Sequence, residues 1–273
     1  MIVISFRISS HSFLGLNTFA DVRKMFARRK FSSVAVPSPA FKLSAVHRGK
    51  AFEERGLKIL QDHLSMSLKR VGGKSDGGVD LQGWWWLPTS DPIDPTSSNA
   101  LLTGDSTERR KRLRVFAQCK AEKKKFSPNY VREMEGVLHR YLAHSKSTLS
   151  HNSTGDTVYP LVALLLSESS FTASTLLRAQ SSPVPFFLLH LPPAVEIDSP
   201  DYDESTNRNI GAAFWNPALG GQRGLLKGQI EQRWERAIRG GGRPGLWWKG
   251  KKLQSWTPGD IPDMEDGFEV PGL

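Results

Sequence analysis

The chain has 273 residues, and 37 Lys and Arg against 27 Asp and Glu give it a formal charge of +10. Its 38% hydrophobic and 10% aromatic content excludes global disorder, and no apolar run reaches the ~18 residues of a membrane span. A single cysteine, Cys119, excludes an internal disulfide and multi-cysteine metal sites and fits a reducing compartment. Basic charge with eight tryptophans points to a polyanionic partner, nucleic acid first, with a generic basic surface as the alternative.

Between residues 1 and 42 the acidic side chain is Asp21, set against Arg7, Arg23, Lys24, Arg28, Arg29, Lys30 and Lys42. Leu14, Leu16, Phe19, Val22 and Phe26 recur at mostly three- and four-residue spacing, which predicts an amphipathic helix. This is the composition of a mitochondrial transit segment, and Arg29-Lys30-Phe31-Ser32-Ser33 reads as a matrix-processing site. The expected location is the mitochondrion, in its matrix. A basic tail that binds nucleic acid directly would carry the same residues.

The spacing then predicts a helix over 49–64, a strand over 66–71, a glycine-rich turn over 72–78 and a strand over 79–86. Pro, Ser, Thr and Asp over 88–106 predict a surface loop. A third strand follows over 113–120, and Val131, Met134, Leu138, Tyr141 and Leu142 carry a helical period. A strand over 158–166, a helix over 171–180 and a strand over 184–191 complete an order αβββαβαβ. That order implies an α/β domain, a mixed sheet flanked by helices, over 43–192, with an insertion at 87–112. Residues 193–273 read as a basic, Trp- and Gly-rich extension packed on the core, with one helix over 225–238 carrying Trp234 on an apolar stripe.

Glu53 shares the face of the first helix with Leu57, Leu60 and Leu64. A carboxylate there is paired, binds a cation, or sits at the stripe's edge in the first turn. On the second strand Asp80 alternates with Leu81, and on the third Gln118 and Lys120 share the face opposite Cys119. If the two strands form a hairpin, Asp80 lies beside Gln118 and Lys120. Such a group can hold a divalent cation, a phosphate and a water; an Asp80–Lys120 ion pair accounts for the same residues. Gly73-Lys74-Ser75 imitates the end of a phosphate-binding P-loop, but Leu68 stands where its upstream glycine belongs.

The sequence Gly49-Lys-Ala-Phe52-Glu53, then Gly72-Gly-Lys-Ser-Asp76-Gly-Gly-Val-Asp80-Leu81, then Val115-Phe-Ala-Gln118-Cys-Lys120 resembles the Mrr-type branch of the restriction-endonuclease-like (PD-(D/E)xK) nucleases. The resemblance covers roughly 49–191. It implies a restriction-endonuclease-like fold and hydrolysis of phosphodiesters, with Mg²⁺ held by Asp80, Gln118, the carbonyl of Cys119 and Glu53. Lys120 would orient or help deprotonate the attacking water. Gln118 stands where many members of the wider superfamily have glutamate; the Mrr branch shares the glutamine, and the lost charge should weaken Mg²⁺ binding. The transit-like segment, with Ala213-Phe-Trp215-Asn-Pro217 and Pro244-Gly-Leu-Trp247-Trp248-Lys-Gly250, resembles the fungal mitochondrial family called required for respiratory growth protein 7, which implies a part in mitochondrial genome maintenance.

For nucleic acid, DNA favoured over RNA, the expected contacts are Arg112 and Arg114 leading into the third strand and Lys123, Lys124 and Lys125 leaving it. Trp247, Trp248 and Lys249 form the second expected patch. One tryptophan would anchor in the core while the other presents its ring to bases.

Overall fold

A computed structural model describes residues 44–71, 78–89, 100–102, 109–149, 159–193, 210–236 and 242–258. The expected transit helix and processing site, and the glycine-rich turn at 72–77, lie outside these residues.

The first helix begins at Ser44, whose side chain accepts the His47 N–H at 3.3 Å, a cap for an otherwise unpaired donor. Helix α1 (Ala45–Leu64) buries Phe52, Ile59, Leu60 and Leu64. Gly56 lies on the same buried stripe, because a Cβ there would stand 2.9 Å from a Leu166 methyl carbon. The helix ends at Ser65, which takes the left-handed conformation at φ 57°. Its end is closed by a distant segment: Ser65 N–H donates to Ser255 Oγ at 2.8 Å, the Ser255 hydroxyl donates to the Gln61 carbonyl at 2.6 Å, and Trp256 N–H donates to Ser65 Oγ at 3.1 Å.

The chain continues through β1 (Met66–Arg70), β2 (Leu81–Pro88), β3 (Ala100–Leu102), β4 (Arg109–Lys120), α2 (Pro128–Leu149), β5 (Leu161–Ser167), α3 (Ala173–Gln180), β6 (Phe186–His190) and β7 (Ala212–Trp215). These strands form one mixed sheet in the order β1-β2-β4-β5-β6-β7, with β3 paired to β4 beside that path. Strands β4, β5 and β6 are parallel, and the β1–β2, β2–β4 and β6–β7 pairs are antiparallel. The α/β class with a mixed sheet and helices is therefore correct. Strand β3 was not expected, and it falls within the stretch read as loop.

Two apolar layers hold the sheet. One gathers Phe52, Leu60, Leu81, Trp85, Val115, Ala117, Leu164, Leu166 and Phe187 under α1. The other gathers Phe116, Met134, Leu138, Ala163, Leu165, Phe186 and Leu188 under α2 and α3. Because both faces are covered, every residue of β2 and β5 is buried, which explains runs of apolar residues where alternation would otherwise show.

Beyond β7 the chain forms the one-turn helix α4 (Pro217–Gly220), then β8 (Ile230–Arg236), β9 (Gly242–Trp248) and β10 (Lys251–Lys252), a separate antiparallel sheet. Over the described residues 225–236 a turn and β8 stand where a helix over 225–238 was expected. Lys227 and Gly228 have φ of 52° and 64°, values that no right-handed helix admits, and they turn the chain into β8. Leu226, Ile230, Leu246 and Leu253 of this region complete the layer under α1. Asn216 ties α4 and β7 to β6. Its Oδ1 accepts the Phe186 and Leu219 N–H groups at 3.0 and 3.1 Å, and its Nδ2 lies within 3.1 Å of the carbonyls of Ala179, Ser182 and Val184. The conspicuous Ala213-Phe-Trp215-Asn-Pro217 string is thus the seam between the sheet and its extension.

Candidate active site at the β2–β4 hairpin

Strands β2 and β4 pair antiparallel with Leu81 opposite Ala117. One residue before Leu81, the Asp80 N–H donates to the Ala117 carbonyl at 2.9 Å. The Asp80 carboxylate then accepts the Cys119 N–H through Oδ2 at 2.6 Å. These two bonds fix the carboxylate beside residues 117–119. The regular alternation expected through Val79 and Leu81 stops here: Val79 packs in the α2-side layer and Leu81 in the α1-side layer. The strand begins only at Leu81, after Gly78 at φ 86°.

Gln118 is 3% exposed, and its buried Oε1 has no hydrogen-bond partner among the described residues. A buried carbonyl oxygen left unpaired costs about 1–3 kcal/mol, so the position calls for a donor or a cation. A Cβ at Gly78 would lie 3.4 Å from Gln118 Nε2, so the missing side chain there gives the amide its room. Lys120 is half-buried, its Nζ 5.0 Å from the Tyr130 ring centroid. Cys119 packs against the α1-side layer. Burial pushes its thiol well above the usual range; Asp80 and then Glu53 push it further, while Lys120 and Arg70 pull it down. Four charged groups thus act on one buried sulfur, and three of them are the residues that the motifs had singled out.

The fourth is Arg70, which the sequence reading passed over. It ends β1 opposite Leu81, and the next residue, Val71, donates its N–H to the Asp80 carbonyl at 2.9 Å. Arg70 Nε donates to Glu53 Oε2 at 2.5 Å. Glu53 is therefore paired with Arg70. Among the described residues, no three His, Cys, Asp or Glu side chains are gathered closely enough to hold a metal ion. A cation here would rest on Asp80 and the orphaned Gln118 oxygen first, a hard oxygen set suited to Mg²⁺.

The expected nucleic-acid contacts divide. Lys123, Lys124 and Lys125 are exposed next to the site. Arg114, in contrast, is 5% exposed, with its guanidinium 4.9 Å from the Trp84 ring. Arg112 is half-buried, 4.5 Å from Trp84 and 4.4 Å from Tyr159, whose hydroxyl it also meets. Arg110 lies 5.3 Å from Trp256. The register sets Trp84 opposite Arg114 and Trp86 opposite Arg112, so these arginines build a cation–aromatic ladder inside the protein. Arg114 was expected to contact phosphate, but its side chain is buried in this ladder rather than presented at the surface. The spacing Arg-x-Arg-x-Arg against Trp-x-Trp was the available signal.

In the extension, Trp248 packs on the core layer with Lys249 Nζ 5.0 Å from its ring, and Trp247 lies 4.5 Å from the Arg233 guanidinium. Both rings are half-buried, so neither is the freely presented one that adjacency in a strand suggested. Trp234 is 45% exposed on β8, not packed on a helical stripe.

The family model described as required for respiratory growth protein 7 matches residues 44–218. A relative of that name from Candida glabrata, described as mitochondrial, is 25% identical over 213 residues, covering 70% of this chain and 79% of its own. An uncharacterised mitochondrial protein of Schizosaccharomyces pombe is 30% identical over 138 residues, 50% of this chain and 47% of its own. A Saccharomyces cerevisiae protein, again required for respiratory growth protein 7, is 29% identical over 125 residues, 38% of this chain and 52% of its own. The matched region thus spans about half the length of the last two relatives. No solved structure matches the chain. Among the described residues, no helix is long and apolar enough to cross a membrane.

Proposed function

The chain belongs to the required for respiratory growth protein 7 family and is a mitochondrial protein, and from that premise we propose that it is a metal-dependent nuclease acting on nucleic acid in the mitochondrial matrix, DNA before RNA, in support of genome maintenance and respiratory growth. The fold assigned to it is restriction-endonuclease-like, with residues 43–192 as the nuclease domain and 193–273 as its extension. The observation that carries the reading is the buried Oε1 of Gln118, unpartnered among the described residues, beside an Asp80 carboxylate fixed by backbone bonds.

Asp80 and Gln118, with the Cys119 carbonyl, would hold Mg²⁺, and Glu53 would join them directly or through water. The ion would supply Lewis acidity at the phosphorus and a more acidic bound water. The chain's own contribution is placement. Asp80 is oriented by the Cys119 N–H, which holds its carboxylate beside residues 117–119 of β4. The Lys120 ammonium donates to a water or phosphate oxygen and offsets the charge that develops in the transition state. Lys123, Lys124 and Lys125 add attraction for the backbone without reading bases.

Purified protein tested on single- and double-stranded DNA and RNA, with Mg²⁺ or Mn²⁺ and with chelator, decides the matter. Cleavage that needs metal and is lost in both Asp80→Asn and Lys120→Ala supports the assignment; full activity in either variant removes it. The engagement of Glu53 by Arg70 favours a second reading, a non-catalytic DNA- or RNA-binding protein on the same scaffold. Binding with no cleavage across the whole panel would establish that one instead.

A further inference from the structure

The site described above contains two acidic and two basic side chains, and two of the four are already engaged with each other. Arg70 Nε donates to Glu53 Oε2 at 2.5 Å, with side-chain exposures of 38% for Arg70 and 16% for Glu53. Both act on the Cys119 thiol together with Asp80 and Lys120, so the pair stands within the electrostatic reach of the hairpin. Its position is set by the fold, because Arg70 is the last residue of β1 and the following N–H is bonded to the carbonyl of Asp80.

We propose that Arg70 is an exchange residue of this site: it holds Glu53 while the metal position is empty, and when a divalent cation takes Glu53 its guanidinium passes to a phosphate oxygen of the nucleic acid. The inference rests on the nuclease-site reading and adds to it an ordered relation between cation and substrate. Glu53 cannot serve the cation and Arg70 fully at once, so the pair opposes loading by the strength of one half-exposed ion pair. Releasing Arg70 alone would leave a cation without its partner beside the site. A phosphodiester supplies that partner, and the guanidinium matches phosphate oxygens in both charge and geometry. Cation and nucleic acid therefore favour each other's binding, and by linkage the favour is equal in both directions. Arg70 here is a positioning residue for Glu53 and a contact for substrate.

The test uses the full chain, with Mn²⁺ binding measured by calorimetry and a fluorescent single-stranded oligonucleotide followed by anisotropy. Arg70→Gln is expected to bind Mn²⁺ about two- to five-fold more tightly than the parent, the scale of one partly exposed pair. The same change in a Glu53→Gln background is expected to leave Mn²⁺ affinity unaltered. Mn²⁺ should strengthen oligonucleotide binding in the parent and do so less in Arg70→Gln. Should Arg70→Gln fold poorly, Arg70→Lys keeps the charge without the Nε contact and should shift Mn²⁺ affinity in the same direction.

Unchanged or weaker Mn²⁺ binding in the Arg70 variants overturns the proposal. Equal tightening in the Glu53→Gln background also overturns it, since that is a charge effect without exchange. Asp80→Asn separates this from failure of the site itself. If Asp80→Asn weakens Mn²⁺ binding while the Arg70 variants do nothing, the exchange alone is wrong. If Asp80→Asn has no effect, the metal site and the exchange fall together.

Discussion

Replacing Asn216 with alanine tests whether the extension is welded to the sheet or merely rests on it. Asn216 is 1% exposed, and its amide bonds to Phe186 N–H, Leu219 N–H and the carbonyls of Ala179, Ser182 and Val184. Two of these groups keep another bond in the variant. Leu219 N–H also reaches the Asn216 carbonyl at 3.0 Å, and the Ala179 carbonyl also accepts the Ser182 N–H at 3.2 Å. Phe186 N–H and the Ser182 and Val184 carbonyls lose the side-chain partner. Three net hydrogen bonds at about 0.5–1.5 kcal/mol each give a loss of about 1.5–4.5 kcal/mol, the higher end applying because Asn216 is buried. For a protein of this size that lowers Tm by roughly 3–18 °C. Chemical denaturation gives the free energy, and a thermal melt gives the shift. Asn129→Ala is the control: it removes an exposed bond from Arg132 at 2.9 Å and should change stability by less than about 0.5 kcal/mol. An Asn216→Ala protein within 1 kcal/mol of the parent would show that the β6–β7 ladder and apolar contact hold β7 and α4 without this side chain and would refute the seam.

Three further expectations follow from the hairpin and the second sheet. Cys119, its thiol held neutral by burial and by Asp80 and Glu53, should react with iodoacetamide at pH 8 far more slowly than an exposed cysteine, and Asp80→Asn should speed the reaction; equal rates would place the sulfur outside the carboxylates' influence. At Gly78, φ 86° makes alanine cost about 1–2 kcal/mol, read by denaturation, and a neutral result would mean that the turn relaxes. Glu235 is raised by burial, but the Lys252 hydrogen bond and charge, then Arg243, outweigh this and leave its carboxyl below the ordinary range. A lowered folded value adds stability above the unfolded pKa, and that contribution fades as pH falls through the folded one. The stability gap between the parent and Glu235→Gln should therefore be widest near neutrality and close in acid; a gap independent of pH would contradict the pairing.

How far the sequence could be read depended on whether a residue's pattern had one structural meaning. Leu57, Leu60 and Leu64 repeat at helical spacing and sit on α1 as expected, and Asp80 lies beside residues 117–119 of the hairpin. Ile230 and Trp234 misled because a spacing of four is even. It puts residues on one side of a strand as readily as near one stripe of a helix, and the deciding break was the positive φ of a lysine, Lys227, which composition does not reveal. Arg114 misled because charge was equated with surface. Only the cross-strand register, Trp84 opposite Arg114, turns the cation inward. Arg70 went unnoticed because its partner, Glu53, lies 17 positions away and no short-range pattern joins them.

The closure of α1 by Ser255 and Trp256 has a consequence for biogenesis. Those bonds join residues 190 to 194 positions apart, and the layer under α1 needs Leu226, Ile230, Leu246 and Leu253 as well as Phe52. A polypeptide that enters an organelle amino-terminus first delivers the helix long before the strands that seal it. Until the last of them emerges, the inner face of α1 remains open to water and to other unfolded chains, the situation that holding chaperones relieve. Maturation should then proceed post-translocationally rather than piece by piece. A chain arrested by a stop near position 240 should be retained on chaperones of the organelle and cleared by proteolysis, although its hairpin carboxylate, glutamine and lysine have all been synthesised.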